Sequence, residues 1–133
     1  MPDERLIDIA RSAFGRAYAK YSQFAVGAAL LSDSGEVSSG CNVENLSYGL
    51  TMCAERVALG AAIVKGQREF QELVIFTDAA EPTVPCGACR QVLAEFCPNL
   101  KITSVTLGGQ SAQFSLEKLF PLPAQGILSQ RST

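Results

Sequence analysis

Apolar residues recur at helical spacing over the first twenty positions. Leu6, Ile9, Ala10, Ala13, Phe14 and Ala17 form one stripe behind Asp3, a side chain suited to capping, so the pattern predicts a helix ending near Lys20 and lying against a sheet. Phe24 to Leu31 reads as a strand, Ser32-Asp33-Ser34-Gly35 as a turn and Glu36 to Asn42 as the antiparallel return. From Cys53 to about Lys65 the chain is alanine-rich and mostly apolar, the pattern of a helix buried on several sides, with Gly66 as its stop. Leu73 to Thr77 predicts a short core strand, Cys86 to Phe96 another helix and Ile102 to Leu107 a further strand. A final short strand and a helix from Ser115 to Phe120 follow.

That order of elements implies an α/β fold: one three-layer α/β/α sandwich around a mixed sheet of about five strands. With 133 residues the chain fits a single domain spanning 1–133, in which folding buries roughly two thirds of the unfolded chain's surface. No repeat or linker interrupts it, and only a polar tail from about 125 to 133 reads as loosely held.

Composition narrows the chemistry. The chain has no histidine and five cysteines, so metal or proton-transfer sites must be built from thiols and carboxylates. Cys53-Ala54-Glu55 and, further on, Pro85-Cys86-Gly87-Ala88-Cys89 supply three thiols and one acid in two tight motifs. Three thiolates leave the fourth position of a tetrahedral Zn²⁺ open to water, as catalytic rather than structural zinc requires. Both motifs fall at predicted helix starts, where the helix dipole favours thiolate over thiol. Glu55, two residues after the first ligand, is placed to reach a water on the metal and carry its protons. Three thiolates against one Zn²⁺ give the site a net negative charge, and Arg56 is the candidate to offset it by donating to a thiolate sulfur. Cys97 follows Val92, Leu93 and Phe96 at helical spacing and reads as core.

A net charge of −2 lacks the basic excess that phosphate-backbone binding needs, which argues against nucleic acid as a partner. The acidic first residues and the absence of any apolar run of spanning length argue against export and a membrane partner, and reduced thiols fit the cytoplasm. Low charge beside a 47% hydrophobic fraction favours self-association.

The C-A-E and P-C-x-x-C motifs, together with Tyr21-Ser22-Gln23-Phe24-Ala25-Val26-Gly27-Ala28 and Gly40-Cys41-Asn42-Val43-Glu44-Asn45, resemble the short, homo-oligomeric cytidine deaminases from about Leu6 to Phe120. The resemblance implies one zinc per subunit on Cys53, Cys86 and Cys89, with Glu55 shuttling protons as water replaces the amine at C4 of cytosine. It implies a small nucleoside substrate and a homotetramer in which neighbouring subunits complete the active sites, in the service of pyrimidine salvage. It assigns Asn42 and Glu44 to the ribose, Phe24 to the pyrimidine or sugar, the backbone of Ala54 to the base with Ser22 or Thr51 nearby, and Tyr48 to a loop completing a neighbour's site. Read from residues alone, Asn42 and Glu44 lie two apart on an extended segment and can point the same way, or they are ordinary turn residues.

One departure is visible. Such proteins commonly carry a phenylalanine close behind a terminal leucine-proline segment, whereas no aromatic follows Phe120 here, leaving Leu122, Ile127 or Leu128 to cover the base. That keeps alive a bulkier substrate, such as an N4-substituted cytidine or blasticidin S. Two other readings compete: a structural zinc site closed by Cys41 as a fourth ligand, and a redox pair at Cys86 and Cys89, which leaves Cys53 and Glu55 without a role.

Overall fold

The computed structural model describes residues 3–123. Helix α1 (Glu4–Phe14) is followed by strands β1 (Val26–Ser32) and β2 (Val37–Cys41), helix α2 (Ala54–Val64), strand β3 (Phe70–Thr77), helix α3 (Gly87–Ala94), strands β4 (Lys101–Thr106) and β5 (Ser111–Ser115), and the short helix α4 (Leu116–Leu119). The sheet runs in the order β2-β1-β3-β4-β5, with β3 and β4 parallel and the other neighbours antiparallel. It is therefore the mixed five-stranded sheet with flanking helices that the pattern predicts. Among the described residues no helix is long and apolar enough to cross a membrane.

Strand alternation divides the interior into two cores. Ala28, Leu30, Leu73, Ile75 and Ile102 point toward α2 and α3, whereas Ala29, Val74, Phe76 and Val105 point toward α1. Burying each large side chain contributes about 1.5–3 kcal/mol, and both faces of β3 are used in this way.

Two glycines let the helices approach the sheet at backbone distance. A Cβ on Gly27 would lie 2.0 Å from the Ala10 carbonyl oxygen of α1. One on Gly40 would lie 2.4 Å from Ala58 N and 2.5 Å from Ala54 O of α2. The matching face of α2 is itself small, since Ala54, Ala58 and Ala62 are all buried. Gly66, at φ 88°, takes the left-handed turn just beyond α2.

The elements differ most from the sequence reading in two places, while β1 starts at Val26 and α3 ends at Ala94, each two residues inside its predicted bound. Asp3 caps α1 as predicted, its Oδ1 accepting from Arg5 N at 2.9 Å. The helix nevertheless stops at Phe14 instead of running to Lys20, with Gly15 as its C-cap. Beyond it the backbone pairs elsewhere: Tyr18 N donates to Asn42 O at 3.0 Å and its carbonyl accepts from Glu44 N at 2.9 Å. Strand β3 starts at Phe70, three residues before the predicted Leu73, because buried Glu72 is satisfied by Thr103 Oγ1 at 2.8 Å and pairs with Lys101 at 3.9 Å. The tail from 125 to 133, with Ile127 and Leu128, lies outside the described residues, while Leu122 is exposed.

Candidate active site

Cys53 is the N-cap residue of α2, Cys86 that of α3, and Cys89 sits in the first turn of α3. The Cys53 sulfur is not spent on a capping bond, and both cap sulfurs lie at the helix starts. Unpaired N–H groups at both helix starts place partial positive charge beside them. The three sulfurs lie within 4.8 Å of one another, with Cys53 to Cys86 at 3.9 Å and Cys86 to Cys89 at 3.5 Å. Tetrahedral Zn–S bonds of about 2.3 Å put ligand sulfurs about 3.8 Å apart, so the triad fits a single zinc ion. Burial, followed by the charge of Glu55, pushes the Cys89 thiol above its usual range. Burial pushes Cys86 the same way, but the N–H and thiol of Cys89 outweigh it and hold Cys86 below that range. A divalent cation is the partner that favours thiolate at both.

Arg56 completes the surroundings of the sulfurs. Its Nη2 donates to Cys53 Sγ at 3.2 Å, and this contact leads the effects that raise its pKa, with the nearby Cys89 acting in the same direction. The guanidinium is where the charge argument places it.

Glu55, in the first turn of α2, is only 6% exposed. Burial pushes its carboxyl up, against weaker opposing effects from its own N–H and from Arg56. It lines a cavity of about 260 Å³ together with Cys53, Ala54 and Cys86, and with Phe24, Asn42 and Glu44 from the first half of the chain. A second cavity of about 370 Å³, lined by Tyr21, Ser22, Glu44, Tyr48 and Thr51, shares three of its residues with the first. Tyr48 projects from a 3-10 turn at Tyr48–Leu50, largely exposed, with its ring edge-to-face on Tyr21 at 5.9 Å.

Asn42 and Glu44 do turn the same way, toward the loop that ends in Phe24. Asn42 Oδ1 accepts from Val26 N at 2.9 Å and its Nδ2 donates to Phe24 O at 2.8 Å. Glu44 Oε1 accepts from Tyr21 N at 2.8 Å and Ser22 N at 3.0 Å, and Oε2 accepts from the Ser22 hydroxyl. That hydroxyl, with the two N–H groups, holds the Glu44 carboxyl below its ordinary range. Both side chains therefore shape the loop as well as line the cavity.

Sequence reasoning did not find Thr83 and Val84, which line the cavity between Pro82 and Pro85. It also missed Arg90, whose Nε donates to Pro85 O at 2.9 Å and Nη1 to Leu119 O at 3.3 Å, fixing the chain just before Cys86. A cation one helical turn after Cys86 was the available signal. Cys41 does not join the sulfur triad. Its thiol donates to Arg16 O at 3.6 Å, and it lines a separate cavity of about 400 Å³ between α1, β2 and α2, so the four-sulfur closed site is not formed. Cys97 packs against the core as expected and donates to Phe70 O at 3.3 Å.

Residues 1–105 match the model of the cytidine and deoxycytidylate deaminase zinc-binding region. A cytidine deaminase of Sporosarcina psychrophila is 43% identical over 122 residues, covering 91% of this chain and 90% of the relative. One from Halalkalibacterium halodurans is 45% identical over 122 residues, 91% and 92% of the two chains. The crystal structure of cytidine deaminase from Burkholderia pseudomallei superposes with a TM-score of 0.88 at 44% identity, covering 92% of this chain and 99% of that one. Agreement in sequence and fold over nine-tenths of the chain, around a sulfur triad of zinc dimensions, shows that this protein belongs to the cytidine and deoxycytidylate deaminase family.

Proposed function

We propose that the protein deaminates cytidine and deoxycytidine hydrolytically, producing uridine and deoxyuridine with release of ammonia, in pyrimidine salvage. The observation that carries this reading is the sulfur triad set beside a buried carboxyl on one nucleoside-sized cavity. Cys53, Cys86 and Cys89 would hold one zinc ion per subunit, which supplies the Lewis acidity that makes water nucleophilic near neutral pH.

The chain's own residues do the rest. Glu55, its carboxyl pushed up by burial, takes one proton from the incoming water and gives it to the ring nitrogen, then takes the second from the hydroxyl formed at C4 and gives it to the exocyclic nitrogen, so that ammonia leaves and a carbonyl remains. The second transfer matters because an amine leaves only once protonated. Arg56 draws charge from Cys53 and Cys89, countering the net charge of three thiolates on one Zn²⁺. Phe24, exposed at 40%, offers an apolar face to the base or sugar, the backbone of Ala54 contacts the base, and Asn42 and Glu44 take the sugar hydroxyls.

The same reading includes a cytoplasmic homotetramer. Leu46, Tyr48 and Leu50 are 80%, 74% and 68% exposed on one short segment beside the cavity, an apolar surface suited to a neighbouring subunit. Tyr48 is then the residue that helps complete the adjoining site.

Ammonia release from cytidine by purified, zinc-assayed protein tests the reaction, with N4-acylated cytidine and blasticidin S run alongside. Cytidine should be the faster substrate; turnover of a bulkier analogue with cytidine untouched would assign a different substrate. Sedimentation should give four subunits, and a monomer would remove the shared-site model.

A further inference from the structure

Of the bonds that tie the loop carrying Phe24 to the segment carrying Glu44, the one made by the Ser22 hydroxyl also reaches the Phe24 N–H. Ser22 Oγ donates to Glu44 Oε2 and accepts from Phe24 N at 3.0 Å, giving a chain of bonds from Phe24 N–H through Ser22 to the carboxylate. A carboxylate has about four acceptor positions. Tyr21 and Ser22 N–H groups fill those of Oε1, so an incoming hydroxyl finds its free position on Oε2, the oxygen that Ser22 also holds. Phe24 is fixed from its other side too, its carbonyl accepting from Asn42 Nδ2 at 2.8 Å.

Gln23, between Ser22 and Phe24, adopts φ 63°. A residue with a side chain holds this left-handed conformation where its surroundings impose it. Here Gln23 N donates to Ala19 O at 2.9 Å and its Nε2 to Lys20 O at 3.1 Å. The turn is thus preset, and Ser22 links it to the carboxylate on the cavity wall.

We infer that Ser22 is a positioning residue that couples recognition of a sugar hydroxyl at Glu44 to the seating of Phe24 against the substrate. The inference rests on the nucleoside reading above. A hydroxyl arriving at Oε2 shares that oxygen with Ser22 and fixes the carboxylate against which the Ser22 hydroxyl is held. That hydroxyl in turn holds the Phe24 backbone. A substrate with sugar hydroxyls gains twice, from the bond itself and from an ordered Phe24.

The test measures kcat and KM for cytidine, and KM or the competitive inhibition constant for 2′,3′-dideoxycytidine, in wild type, Ser22→Ala and Ser22→Thr, with zinc content and melting temperature recorded. Ser22→Ala should raise KM for cytidine about tenfold while changing kcat less than about twofold, and should weaken dideoxycytidine much less. Ser22→Thr, which restores the hydroxyl, should recover most of the loss. Equal weakening of both ligands in folded, zinc-loaded Ser22→Ala, or no weakening, overturns the coupling. Should Ser22→Ala lose its zinc, Ser22→Cys keeps the side chain's size, weakens the donor and reads the same comparison. Wild-type protein inert toward cytidine overturns the nucleoside reading itself, an outcome distinct from a failed Ser22 comparison.

Discussion

Two sets of residues meet at the cavity, and they are held in place by different means. Cys53, Glu55, Cys86 and Cys89 come from the starts of α2 and α3, elements packed on the sheet through Ala54, Ala58, Leu93 and Ala94. Phe24, Asn42 and Glu44 come from connecting segments held by hydrogen bonds to backbone groups. Helix starts fix direction and charge together, which suits ligands whose sulfurs must keep spacing within tenths of an ångström. A bonded loop fixes shape while leaving polar atoms beside the cavity, which suits recognition. On the proposed function, the chemistry is therefore anchored in the core, and selectivity in a network that single substitutions can retune.

The comparison breaks first at Glu55. Glu55→Gln should lower kcat by about 10²–10⁴-fold while zinc content, measured by metal analysis, stays at one per subunit. Retained turnover would remove the carboxyl from the mechanism, and lost zinc would make it part of the metal site's support. Arg56→Gln should follow with about a 10–100-fold loss in zinc affinity or activity, read by chelator competition, because Cys53 loses a charged donor and Cys89 a nearby positive charge. Wild-type zinc affinity and turnover in that variant would make Arg56 an ordinary helix residue.

On the loop side, Asn42→Ala strands Val26 N–H and Phe24 C=O at once. It should cost about 1–3 kcal/mol of stability in urea unfolding and raise KM, with zinc retained. A variant as stable as wild type would show that the loop is held without it. The smallest effect is expected from pH. The native pKa of Glu44 lies below its ordinary value, so its bonds stabilise the fold above the ordinary carboxylate range. That contribution should fade as pH falls through the native value. The stability gap between wild type and Glu44→Gln, measured by urea unfolding across the acid range, should close as the pH falls; a gap independent of pH would show that the carboxylate's charge contributes nothing.

The same division explains what the sequence disclosed. The three cysteines are legible because their separation in the motifs becomes a fixed separation in space once each sits at a helix start. The five-stranded sheet follows from alternation and from the order of its elements. The roles of Ser22 and Glu44 toward each other are not legible, since they lie 22 residues apart and bond only after the loop returns to β2. Ala17 continued the helical period and concealed the end of α1, where pairing of Tyr18 with Asn42 and Glu44 takes over. Glu72 concealed the start of β3 because a charged residue in a core strand is tolerated only with partners, and those stand on β4.

Gly40 makes the hairpin's alignment part of the metal chemistry. Side chains on β2 alternate, so only Ser38 and Gly40 face α2 while Ser39 turns outward. A slip of β2 by one residue against β1 would bring Ser39 or Cys41 beneath the helix, where Gly40 leaves no room for even a methyl group. The helix would be levered outward and Cys53 carried away from Cys86. Correct zinc coordination thus depends on the tight turn at Gly35, which contributes no ligand and sets how the two strands count against each other.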